Sequence, residues 1–164
     1  MIGRRTGQTL LAGALLLTLA TGCGVRPSIV ITGRPAISGP SQGVGLYLLA
    51  QGELVLVLRP AKAQGTPDTA LALLAAGPDQ TERGRGLTSE VPAGIAPVTS
   101  EVDQAGDLTV RTASAARALS ENAVNQIVCT AADAAAQAGL VVSFAPVTIV
   151  GPDGTRPPQP CPIK

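Results

Sequence analysis

Between Thr66 and Pro92 the chain reads TPDTALALLAAGPDQTERGRGLTSEVP, and few folds accommodate that order of signals. Thr66 is an N-cap whose hydroxyl can accept from an orphan amide of a first helical turn. Pro67 fits the first helical position, and Asp68 brings negative charge to the positive end of the helix. Ala70 to Ala76 is apolar on almost every side, so the helix is expected to be largely buried. Gly77 supplies the left-handed residue after the helix, and Pro78 forbids continuation. Asp79 and Glu82 have the spacing of a capping box for one more turn, which Gly84 and Gly86 end. Leu87 to Val91 is expected to run extended into Pro92.

The flanking sequence supplies strands. Val44–Ala50 and Glu53–Arg59 form a hairpin about the turn Gln51-Gly52, with Pro60 as its end. Both runs are apolar enough to predict central strands. A second hairpin covers Ile95–Val102 and Asp107–Thr112, around Asp103–Gly106. Ser120 caps a second helix that runs to about Gln137 and stops at Gly139. On a helical wheel Val124, Ile127, Val128, Ala131 and Ala135 share one side, and Asn122, Gln126, Thr130, Asp133 and Gln137 the opposite one. Cys129 falls on the seam. Leu140–Val150 reads as a last strand interrupted at Pro146. Beyond a turn at Pro152-Asp153-Gly154, residues 151–164 form a proline-rich tail. The expected fold class is α+β, with a mixed or antiparallel sheet of four to five strands and two helices packed on one face.

The 164 residues suit one ordinary domain, and 45% hydrophobic content supplies a core. Tyr47 and Phe144 are the only aromatics, so the core must be aliphatic and alanine-rich. Two aromatics and a net charge of +1 with no basic cluster argue against a nucleic-acid partner. Histidine is absent, which removes histidine triads and histidine metal ligands. No cofactor or metal is expected. The ratio of ten Arg to two Lys fits a high-G+C genome such as an actinobacterial one.

Leu73, Leu74, Gly77, Pro78, Glu82, Arg83, Gly86, Leu87, Ser89 and Pro92 stand in the order and spacing of the GerMN domain. That domain is the sporulation and spore-germination module of bacterial envelope lipoproteins. Gln126-Ile127-Val128 followed by Thr130 resembles its second helix. The resemblance spans roughly Val44 to Val150 and departs from the family at Cys129, where an apolar or aromatic side chain is expected. It implies a compact non-catalytic α+β layout in residues 44–150.

Met1–Gly22 reads as a lipoprotein signal peptide. Arg4 and Arg5 form its charged start, and Thr9–Ala20 is an apolar run too short to span a bilayer. Leu19-Ala20-Thr21-Gly22-Cys23 resembles a lipobox, so Cys23 is the expected lipidation site. Residues 23–43, with Pro27, Pro35 and Pro40 among glycines, read as a tether that reaches at most ~70 Å. Ser28–Thr32 is a candidate edge strand within it. With Cys23 lipidated, Cys129 and Cys161 remain, and outside the cytoplasm the pair is expected to be a disulfide that pins an otherwise disordered tail.

Chemistry is harder to find. Ser89 lacks a G-x-S-x-G setting and a partner base, and Gly84-Arg85-Gly86 lacks the strand and Lys-Ser/Thr of a phosphate loop. No catalytic residue is assigned, and no enzyme activity is expected. Glu82, Arg83 and Arg85 form a charged turn that could be a docking surface. The expectation is a lipid-anchored protein on the outer face of the cytoplasmic membrane, binding another envelope protein in sporulation, cell-wall or signalling roles. The alternative is an extracytoplasmic carrier or sensor of a small apolar or lipid ligand. Cys23→Ala should move the protein from the membrane fraction to a soluble or uncleaved form. An intact mass with no lipid on Cys23 would contradict the lipobox reading.

Overall fold

The computed structural model describes residues 43–61, 65–141 and 145–163. The expected signal peptide, Cys23 and the expected tether with Ser28–Thr32 lie outside them. The fold is α+β. In order, it contains β1 (Gly43–Ala50), β2 (Glu53–Pro60), α1 (Pro67–Ala75), α2 (Gln80–Gly84) and β3 (Leu87–Thr88). After a 3-10 turn at Ala93–Ile95 come β4 (Val98–Val102), β5 (Leu108–Thr112), α3 (Glu121–Gln137), β6 (Val147–Gly151) and β7 (Gly154–Gln159).

The local signals act as their chemistry dictates. Thr66 accepts from the amide of Thr69, Asp79 and Glu82 close a full capping box, and Ser120 accepts from the amide of Ala123. Gln51 and Gly52 take positive φ of 53° and 86°, the two-residue turn that matches the twist of a hairpin. Gly77 follows α1 at a φ of 78°, and Gly139 follows α3 at 71°. α1 buries Ala70, Leu71, Leu74 and Ala75 but exposes Ala72 and Ala76, so it is buried along a stripe and not all round.

The strands divide between two sheets, in place of the single expected sheet of four to five strands. One has the order β2-β1-β3, the other β4-β5-β6-β7. β5 and β6 are parallel and joined through α3, the kind of crossover a parallel pair requires. The two longer helices pack on each other and on β1, while α1 also meets β4 and α3 also meets β6. Val44, Leu46, Leu48, Leu108, Val110, Val147 and Ile149 thereby share one aliphatic core with both helices.

Three expectations need correction. β2 is an edge strand, not a central one; an apolar run fixes strand formation but not the strand's place in a sheet. The strand expected over Leu140–Val150 starts at Val147, after Pro146, while residues 142–144 lie outside the described set. The tail is not held by its disulfide alone: Gly154–Gln159 is a strand paired with β6. Pro157 and Pro158 are tolerated because β7 is the last strand of its sheet and because its pairing with β6 is irregular where they sit, between Val147 and Ile149. Arg156 ties the strand down further, donating to the carbonyls of Ala116 at 2.9 Å and Leu119 at 2.8 Å. Asp153 at the turn accepts from the amides of Ala116 and Arg117.

Cys129 and Cys161 are bonded, with Cα atoms 4.7 Å apart and a sequence separation of 32. Cys129 is fully buried, not a seam residue reached from solvent. Closing a loop of that length stabilises the fold by about 3–4 kcal/mol on the chain-entropy view. Cys161→Ser should lower the melting temperature by several degrees. Because the ladder and Arg156 hold β7 independently, limited proteolysis of the variant should cut only beyond Gln159. Cleavage within Gly154–Gln159 would show that the disulfide alone holds the strand.

Candidate interaction surface

β1 has one side fully paired with β2, but β3 covers only Leu49 and Ala50 on the other. The backbone of Tyr47 is therefore left to find partners, and α3 supplies them. Thr130 Oγ1 accepts from the Tyr47 amide at 3.0 Å, and Gln126 Nε2 donates to the Tyr47 carbonyl at 2.9 Å. Gln126 Oε1 also accepts from the amide of Glu90 at 2.9 Å. Both side chains are 0% exposed, which corrects the expectation of a solvent-facing polar side on this helix. Buried amides and carbonyls require partners, and these polar residues are spent on the sheet edge.

Next to them, Gly45 lets α3 approach. A Cβ there would stand 2.6 Å from Asp133 Oδ2. Asp133 is half-buried and accepts from Gln137 Nε2 at 2.6 Å. Burial pushes its carboxyl above the usual range despite that bond. Burial, then the Asp133 charge, also pushes the Tyr47 phenol up.

The charged turn is arranged differently from the expectation. Glu82 is 4% exposed, so it is not a docking group. Its carboxylate takes Arg59 Nε at 2.9 Å and Nη2 at 2.6 Å, and accepts from the Asp79 amide at 2.7 Å. Arg59 also donates to the Gly77 carbonyl at 2.8 Å, so it caps the end of α1 while bolting the turn to β2. The hydrogen bonds from Arg59 hold the Glu82 carboxyl below its usual range, against the effect of burial. Arg83 and Arg85 are exposed; Arg83 bonds the Pro78 carbonyl and the Arg85 amide closes α2. The three residues are thus not brought together on one surface.

Ser89 and Glu90 are also committed to structure. Ser89 Oγ accepts from the Val91 amide and bonds Gln126, while the Glu90 carboxylate accepts from Ser120 and Asn122. Among the described residues, no cluster of three or more His, Cys, Asp or Glu is placed to hold a metal. No described helix is long and apolar enough to cross a membrane.

What remains open is β2. On the face that carries Gly45, Tyr47 and Leu49, the cross-strand partners are Leu58, Leu56 and Leu54. Leu56 is 55% exposed and Leu58 44%. The stripe runs on past Leu54 into a cleft of about 310 Å³ lined by Gly52, Glu53, Asn125, Pro162 and Ile163. A second cleft, about 460 Å³, lies between Asp103–Gly106 and Gly139–Val141, where Leu140 is exposed. Both clefts open to solvent. The stripe has a sequence signature, an unbroken apolar run from Leu54 to Leu58 in which both strand faces are apolar. Only the packing of the folded chain reveals that one of those faces lacks cover.

Comparison with protein-family models, curated proteins and solved structures returned no match.

Two opposite pH effects follow. Glu82, held low, contributes stability that is present above the unfolded carboxyl value of ~4.3 and is lost as pH falls through its folded value. Glu82→Gln should cost about 2–4 kcal/mol at pH 7 and flatten the acid limb of a melting-temperature profile. Asp133, held high, costs stability while ionised, and that cost fades as pH falls through its raised folded value. Asp133→Asn should therefore raise the melting temperature by a few degrees at pH 7, with the gain shrinking toward pH 4. A constant gain across that range would show that the charge is not the cause.

Proposed function

We propose that this chain is a lipid-anchored protein on the outer face of the cytoplasmic membrane, and that its GerMN-like domain is a non-catalytic interaction module. It would dock another envelope protein in sporulation, cell-wall or signalling work. The single observation that carries the docking reading is the leucine stripe of β2. A chain this rich in buried aliphatic residues leaves Leu56 and Leu58 in water, next to an open strand edge. The lipobox at Cys23 supports the anchor, and the ordered matches from Leu73 to Pro92 support the family.

Nothing favours the carrier. A ligand pocket is typically concave, mostly apolar and deep enough to bury its guest. The two clefts here are open and lined with Asp103, Gln104, Glu53 and Asn125 as well as apolar groups.

The test is a photo-crosslinking residue placed at Leu56 or Leu58 in the full-length chain in cells, with Thr99 on the other sheet as control. A discrete adduct from the leucine positions and none from Thr99 is expected. Equal labelling from all three, or none from any, would contradict the docking reading.

A further inference from the structure

The Tyr47 backbone settles the geometry of the open edge. Its amide and carbonyl both point to α3, so in the antiparallel ladder Tyr47 and its partner Leu56 are a non-hydrogen-bonded pair. The amide and carbonyl of Leu56 must then point away from β1. By the two-residue period the same holds for Leu54 and Leu58. Three consecutive outward donor–acceptor sets thus lie along β2, with no Lys, Pro or bulge between Leu54 and Leu58.

The other described edges are blunted. α3 covers β1, Pro157 and Pro158 sit in β7, and β4 is five residues long and carries Glu101. β2 differs from all of them.

We propose that β2 pairs antiparallel with β2 of a second copy of this chain, on a two-fold axis through Leu56. The inference rests on the docking surface identified above and assigns it to a second copy of this chain in place of a different protein. In this register Leu56 faces the partner's Leu56, Leu54 faces the partner's Leu58, and every outward amide and carbonyl of the three leucines is matched. Glu53 falls opposite the partner's Arg59, which already holds Glu82, and no like-charged side chains are paired across the ladder. Pro60 fixes the register: it shares the outward parity but has no amide, and a longer overlap would bring it inside the ladder. The leucines of both copies then form one apolar band across a six-stranded sheet. One sequence satisfies both sides, which is what a closed two-fold interface requires.

Sedimentation velocity of the full-length chain in mild detergent tests this. The wild type should show a concentration-dependent dimer. Leu56→Lys and Leu56→Glu each place like charges on the axis and should raise the dimer dissociation constant about tenfold or more. An equimolar mixture of the two variants should dimerise again. Leu56 is exposed, so at concentrations where the wild type is monomeric both variants should melt as it does. A dimer unaffected by Leu56→Lys would overturn the proposal and place the contact elsewhere. A monomer would overturn it too. If the Leu56 amide of that monomer were protected from hydrogen exchange, a segment such as Ser28–Thr32 would be the occupant. An unprotected amide, with discrete adducts from Leu56 to a different protein, would leave the docking reading standing without self-pairing. No adduct at all would remove both.

Discussion

One strand edge governs this fold. β1 lies at the centre of its sheet, yet β3 pairs with only its last two residues, and the Tyr47 backbone would be buried without partners. An unsatisfied buried amide or carbonyl costs about 1–3 kcal/mol. Thr130 and Gln126 remove that cost from the side of a helix. They can do so only because Gly45 admits α3 to within contact of the strand. α3 is consequently buried on its apolar and its polar sides, and with α1 it is one of two helices that both sheets share.

The stretch from Thr66 to Pro92 is held by the same logic at two points. Arg59 reaches from β2 to Glu82 and to the end of α1, so the turn after that helix cannot move without exposing a buried charge pair. Ser89 and Glu90 then tie the exit of the stretch to Gln126 and to the N-terminus of α3. The disulfide adds a third fastening, from the middle of α3 to the segment after β7. Polar side chains thus do the joining, while an aliphatic core with little aromatic content provides the bulk of the burial.

How much of this was legible follows from range. Thr66, Asp79, Ser120, Gln51-Gly52, Gly77 and Gly139 act on backbone within a few residues, and their sequence signals predict their structural roles. The pairing of Cys129 with Cys161 was legible by elimination. Periodicity showed that Gln126 and Thr130 share a polar side, but not that a strand edge would meet it. Glu82 looked like a surface charge because its partner, Arg59, stands 23 residues earlier. β7 was hidden by its prolines, which deny a central strand but permit an edge one. The leucine stripe was visible as composition and invisible as a surface, since edge and centre differ only in who the neighbours are.

The division of labour between the two edges of the first sheet is what any docking role at β2 depends on: α3 closes one edge and leaves the other open. Native-state hydrogen exchange at the single amide of Tyr47 tests that most directly, comparing the wild type with Thr130→Val. In the wild type the Tyr47 amide should exchange only through global unfolding, as slowly as the amides of the β1–β2 ladder. In Thr130→Val, which keeps the shape and removes the acceptor, Tyr47 should lose protection selectively while those ladder amides keep theirs relative to the new global stability. A Tyr47 amide that exchanges in the wild type as fast as an exposed one, or that is indifferent to Thr130→Val, would contradict the closure of this edge by α3.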